Sequence, residues 1–298
     1  MRILVSGASG LIGSAFAEHM RAKGHTVVAL VRREARSANE ISWAPGREPL
    51  QAGVIDTFDA VVNLAGATTG KLPWTKKYMR ELIDSRIDST RTLVEAMRSA
   101  NQRPKVFVSG SASGFYGDTG TANAKESDPK GTGFLSDLAA KWEQVANAAP
   151  SDVRVVTIRT TMVMSRKKGA LGRLLPLIRM GVGGRLGSGK QWWAFISLTD
   201  EVRAIEHLIG NPAARGPFNL TAPQPATCEE LVRSLGKALR RPTILPVPAF
   251  ALRLAFGVGA DELLLCNQKL DASKLLESGF EFTHPTLDSA ARWSVGRD

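Results

Sequence analysis

The chain has 298 residues, 43% of them hydrophobic, and a formal net charge of +11 at pH 7. That is enough chain for a full core in one large domain or two closely joined ones. The most apolar candidate for a bilayer span, residues 245–266, is broken by Pro246, Pro248, Arg253, Asp261 and Glu262. Two distant cysteines (Cys228, Cys266) and four scattered histidines give neither a disulfide framework nor a metal-ligand spacing, so inert thiols, no metal and a reducing, cytoplasmic location are expected.

Residues 1–6 form a short apolar run rich in β-formers, read as a strand and not as a signal peptide. It enters Gly7-Ala8-Ser9-Gly10-Leu11-Ile12-Gly13, and a helical pattern follows over Leu11–Lys23. Thr26–Val31 reads as a second buried strand. Strand, glycine turn, helix and strand together are the context of a dinucleotide site. Gly7 allows the tight turn, Gly10 lets the backbone approach a pyrophosphate, and Gly13 lets the helix pack on the strand. Arg32 follows the second strand, where an NAD-selective site usually has Asp or Glu. An arginine suits a 2′-phosphate, so NADP(H) is the expected cofactor; the plainer reading is a surface basic pair with Arg33.

A short strand is expected near Glu40–Trp43, and a buried one over Asp59–Gly66 that ends in Leu64, Ala65 and Gly66, small enough to leave ligand room. Residues 74–101 read as a long helix on which Glu81 and Arg86 face either cofactor or solvent. Lys105–Gly110 is a strand, and it runs into the hydroxyl-rich turn Ser111–Gly117. Those serines serve either turn chemistry or a substrate oxygen. A helix over Phe134–Ala148 and a strand over Val153–Arg159 complete the alternation, which predicts an α/β fold with a doubly wound parallel sheet.

The pattern then changes. Residues 153–190 hold nine Lys/Arg and no Asp or Glu. This is either a solvated basic face or a surface for an anionic small molecule, and the absence of a recognisable nucleic-acid module argues against nucleic acid. Arg166-Lys167-Lys168 within it is substrate-facing or simply exposed. A glycine-dense loop (181–191) precedes a helix over Asp200–Ile209, a strand over Pro217–Leu220, a helix over Thr227–Leu239 and a helix near Leu263–Glu277. The expected division is a Rossmann domain, residues 1–165 with a return segment near 195–220, and a smaller, mostly C-terminal α/β substrate domain, residues 166–298.

On Ser6–Gly13, Asn63–Gly66, Asp84–Ile87, Ser109–Gly117, Gly187–Trp192, Thr221–Pro225 and Pro246–Phe250, the chain resembles the extended short-chain dehydrogenase/reductase superfamily. It is most similar to the epimerase-like branch with a C-terminal domain of unknown function. The resemblance implies an NADP-binding Rossmann domain and raises Arg32, Leu64, Ala65, Glu81, Arg86 and Val163 as cofactor contacts beside Gly7, Ser9, Gly10, Leu11, Ile12, Gly13 and Gly66. The superfamily's chemistry uses a Tyr and a Lys four residues later. With the register anchored on Glu143, those slots fall on Leu135 and Ala139, and neither Tyr78 nor Tyr116 has a Lys four residues on. Ser111 matches the superfamily's substrate-bonding serine, and Tyr116 is the phenol nearest to it in sequence; these two are the catalytic candidates. The expected activity is an NADP(H)-dependent oxidoreductase or epimerase-like one on an anionic or sugar-like small molecule, and the alternative is a catalytically silent cofactor-binding regulatory or interaction protein. No membrane or nucleic-acid partner is expected, and the chain is a monomer or a homodimer.

Overall fold

The computed structural model describes residues 1–166 and 169–297. Lys167 and Lys168 of the basic triplet lie outside the described residues. Short runs of aliphatic and β-branched residues, apolar on both faces, form the strands of a seven-stranded, wholly parallel sheet. These are β1 (Arg2–Ser6), β2 (Thr26–Val31), β3 (Glu40–Ser42), β4 (Ala60–Asn63), β5 (Val106–Ala112), β6 (Arg154–Thr160) and, after a two-stranded excursion, β9 (Gly216–Leu220). The order is β3-β2-β1-β4-β5-β6-β9. The chain starts at β1 and winds outward both ways, so the strand order reverses between β1 and β4, which opens a crevice at the carboxyl end of β1.

Helices cover both faces. On one side α1 (Leu11–Ala22) packs beside α5 (Leu198–Gly210) over a core that includes Ile3, Val5, Phe16, Met20, Ile158 and Ile205. On the other, α2 (Lys76–Ser99) and α3 (Phe134–Ala146) lie side by side, and Leu93, Val94 and Met97 of α2 join Leu4, Val61 and Phe107 in a second core. β7 (Met162–Met164) and β8 (Phe195–Ser197) form a small parallel pair beside the main sheet. With α4 (Leu171–Arg179), α6 (Cys228–Leu239) and α10 (Leu287–Ser294) they enclose a third core of Met164, Leu175, Phe195, Leu231 and Leu235. The remaining helices, α7 (Ala249–Phe256), the single turn α8 (Val258–Ala260) and α9 (Ser273–Glu277), lie along the C-terminal segment.

One expectation is corrected. Residues 263–277 are not one helix: a π-turn covers Asp261–Leu265, and helix resumes only at Ser273. Between them the backbone is drawn into long-range pairing. Gln268 N donates to the Trp192 carbonyl, Ala194 N to that of Gln268, and Ala124 N to that of Lys269. These contacts satisfy groups that a helix would otherwise have satisfied internally.

Candidate cofactor and active site

The glycine turn sits at the reversal in strand order. Gly7 has φ +72°, and a Cβ there would run into the Leu64 carbonyl at the end of β4. A Cβ on Gly13 would run into the Gly7 carbonyl, so Gly13 sets how closely α1 meets β1. Helices α2, α5, α6 and α10 each start on a Ser or Thr whose oxygen accepts a backbone N–H. Helix α1 starts on Gly10 with no side-chain cap and no acidic residue in its first turn. Its first N–H groups and its dipole are therefore left for an external anion. Ser9 and Gly10 are exposed at this point, with Leu11 and Ile12 half-buried beside them.

A buried relay fixes the crevice floor. Ser6 Oγ donates to Asn63 Oδ1 (2.5 Å), while Asn63 Nδ2 and Trp142 Nε1 both donate to Thr90 Oγ1 (2.8 and 2.9 Å). Four elements (β1, β4, α2 and α3) are locked by one fully engaged network. Leu64, Ala65 and Gly66 follow Asn63 into the crevice. Gly66 lies against the half-buried Arg86, whose guanidinium stacks over Trp142 at 5.2 Å and is pushed down to about 10 by burial. Glu81 is set apart, on the exposed face of α2. Val163 packs in the same core as Leu11, Ile12 and Leu64.

The strand register Ser6↔Leu30 brings the end of β2 level with the turn. There the two arginines part. Arg33 donates to both oxygens of Glu40 (2.8 and 2.6 Å), which holds that carboxyl down at about 2. Arg32 is exposed and makes no hydrogen bond or ion pair among the described residues. The close backbone packing at Gly7 and Gly13, the uncapped α1 and the unengaged Arg32 fit a phosphorylated dinucleotide. Leu64–Gly66 and Val163 would line its path.

At the carboxyl ends of β5 and β6 lies a second buried network. Arg159 donates through Nε to Glu143 Oε1 (2.8 Å) and through Nη2 to Glu143 Oε2 (2.9 Å). Ser111 Oγ donates to Glu143 Oε1 (2.6 Å). Tyr116 Oη donates to Asn219 Oδ1 (2.7 Å) and accepts from Arg159 Nη1 (2.7 Å), and burial pushes its phenol up to about 12. The Arg159 guanidinium also lies 3.5 Å from the Phe115 ring centroid. Ser111 and Tyr116 are thus brought together, by way of Glu143 and Arg159, which sequence reasoning did not single out. Leu135 and Ala139, in the Tyr and Lys slots, are buried and apolar. The backbone N–H groups of Phe134 and Leu135 donate to Glu262 of the π-turn (2.8 and 3.1 Å), which ties α3 to the C-terminal segment.

Glu201, in the first turn of α5, was also not singled out. It is completely buried; Oε1 accepts from Thr160 Oγ1 (2.7 Å), Oε2 has no partner among the described residues, and burial pushes its carboxyl up to about 8. Among the described residues no His/Cys/Asp/Glu cluster could hold a metal ion. Both thiols are pushed up by burial, Cys228 to about 11 and Cys266 to about 12, as inert cysteines would be.

Residues 3–220 match the NAD dependent epimerase/dehydratase family, and residues 247–294 match a domain of unknown function, DUF1731. The chain belongs to the NAD dependent epimerase/dehydratase family. Within the extended short-chain dehydrogenase/reductase superfamily, its relatives carry the same epimerase-like description. An epimerase family protein of Mycobacterium leprae is 40% identical over 296 residues, covering 99% of this chain and 96% of the relative. The human epimerase family protein SDR39U1 is 32% identical over 295 residues, covering 98% and 99%. A crystal structure of human SDR39U1 (isoform 2) with NADPH superposes with a TM-score of 0.91 at 30% identity, covering 99% of both chains. The strand order and the superposition on the human structure bear out the doubly wound parallel sheet.

Proposed function

We propose that this chain binds NADP(H) in the crevice and carries out oxidoreductase or epimerase-like chemistry on an anionic or sugar-like small molecule, without a Tyr–Lys pair. The observation that carries the cofactor choice is Arg32, exposed and unengaged among the described residues while its neighbour Arg33 is tied to Glu40. The human relative's structure with NADPH supports the same choice. Gly7, Ser9, Gly10, Leu11, Ile12 and Gly13 would hold the pyrophosphate, Arg32 the 2′-phosphate, and Leu64, Ala65, Gly66, Arg86 and Val163 the remainder, with Glu81 at the outer rim. The cofactor supplies hydride exchange. This chain's residues orient the substrate: Ser111 would bond its reacting oxygen, and Tyr116 would complete the polar edge.

A second reading, a silent NADP(H)-binding regulatory or interaction protein, is favoured by one observation. The hydroxyl protons of Ser111 and Tyr116 are already donated within the fold, to Glu143 and Asn219.

Calorimetric titration of cofactor-stripped protein with NADPH and NADH, beside Arg32→Ala, tests the cofactor assignment. We expect a preference for NADPH that falls by about 10- to 100-fold in the variant, as for loss of a charge-assisted hydrogen bond. Equal affinity for the two cofactors would overturn it. NADPH oxidation across carbonyl and nucleotide-sugar substrates separates the two functions: turnover lost in Ser111→Ala supports the enzyme, and tight binding with no turnover supports the silent protein.

A further inference from the structure

Two segments of the C-terminal half run side by side. Residues 182–187 follow α4, and residues 244–247 lead into α7. Leu245 N donates to the Gly183 carbonyl, Val247 N to that of Arg185 and Gly187 N to that of Val247. Ten large hydrophobic side chains are exposed among the described residues, and eight of them lie on these segments and the helices they join. Leu177, Met180 and Val182 stand at the end of α4, and Ile244 (76% exposed) and Leu245 on the adjoining strand-like run. Phe250 (71%) and Leu254 (88%) lie four residues apart on one face of α7, and Val258 (56%) follows beyond the positive-φ Gly257 that ends that helix. Only Leu252 of α7 is turned into the protein. An apolar face of this extent is not a normal solvent surface.

Its rim is cationic. Residues 169–190 contain Arg173, Arg179, Arg185 and Lys190, and residues 240–260 contain Arg240, Arg241 and Arg253, with no Asp or Glu in either stretch. Glu229 and Asp261, from outside, pair with Arg185 and Arg253. Arg179, Arg240 and Arg241 make no ion pair among the described residues and flank the seam where Gly181 meets Pro242. Apolar tips with Arg179, Arg240 and Arg241 beside them match the acyl–headgroup boundary of an anionic bilayer. A two-fold contact between copies of this face would instead set Arg179, Arg240 and Arg241 of one copy against those of the other. No helix among the described residues is long and apolar enough to cross a membrane, so the contact is with the surface.

We propose that this face, with Ile244, Phe250 and Leu254 at its centre, docks the protein on anionic lipid surfaces. This departs from the sequence expectation of no membrane partner, because apolar residues spaced along an exposed face are indistinguishable in sequence from a core stripe.

The test is flotation with vesicles of phosphatidylcholine alone and of phosphatidylcholine mixed with phosphatidylglycerol, for the full chain and for the double variant Phe250→Ser, Leu254→Ser. The variant keeps the net charge, so it separates docking by this face from general attraction of a basic protein. Both side chains are exposed, and an unchanged melting temperature verifies folding. The expected result is flotation with the anionic vesicles only, weakened by raised salt and reduced about tenfold or more in the variant. Equal flotation of variant and parent overturns the proposal, since charge alone would then suffice. No flotation at low salt also overturns it and points to an acidic protein partner. Self-association of the parent that the variant abolishes, read by sedimentation equilibrium, overturns it in favour of a second copy of this chain.

Discussion

Arg159 grips Glu143 through two parallel hydrogen bonds of 2.8 and 2.9 Å, with both side chains almost wholly withdrawn from water. The pair joins β6 to α3, and Ser111 and Tyr116 hang on its two ends. Removing one partner strands the other charge in a site where water cannot replace it. Glu143→Ala should therefore destabilise the fold by about 3–5 kcal/mol. Urea denaturation measures this, and a loss under about 1 kcal/mol would mean that the guanidinium finds another partner.

Neither tyrosine is poised as an acid or base at neutral pH. Burial raises Tyr78 and pushes Tyr116 up to about 12. The chain has only these two. Ultraviolet titration of the native protein should show little phenolate at pH 10, where free tyrosine is half ionised, and normal ionisation after unfolding. Phenolate appearing below about pH 9 would restore Tyr116 as an activated group.

Glu201 gives the fold a pH dependence of definite sign. Its carboxyl is at about 8 when folded against an ordinary 4.5, so the native state favours the proton. Below about pH 4.5 both states are protonated and nothing is lost. As pH rises from there through about 8, unfolding releases the proton ever more favourably and stability falls, by about 1.4 kcal/mol per unit for this group. Glu201→Gln should thus melt progressively higher than the parent between pH 5 and pH 8, and the gap should level off above that. A gap independent of pH would show that the carboxyl is ionised in the fold.

Gly13 tests the cradle. A Cβ at this position meets the Gly7 carbonyl, which the fold cannot move without shifting β1 and Leu64. Gly13→Ala should lower the melting temperature and abolish dinucleotide binding together, whereas Arg32→Ala should change cofactor preference alone. Wild-type binding in Gly13→Ala, measured by calorimetry, would show that α1 does not sit on the strand as described.

The sheet and the glycine turn were legible because each declares itself locally: continuous β-branched runs, a glycine triplet between strand and helix, and small residues at the end of β4. Helix α4 escaped because Gly172 and Pro176 interrupt its pattern. The stretch 266–272 misled because its conformation is set by Trp192, Ala194 and Ala124, more than seventy residues away in sequence. Glu143 and Arg159 looked like a register marker and the end of a strand; only the packing of α3 on β6 turns them into one unit. Likewise, nothing in the sequence near Glu201 marks it as a carboxyl sealed from water.

Asp200 is completely buried, and Thr283 N and His284 N, from almost the end of the chain, donate to its two oxygens at 2.7 and 2.9 Å. An acidic group at the start of α5, held locally by Ser197 and Arg203, therefore lacks two of its hydrogen-bond donors until the C-terminal segment is present. On the ribosome the turn that opens α5 cannot reach its final stability ahead of the chain's tail, and a chain cut short before Thr283 leaves a buried carboxylate two hydrogen bonds short.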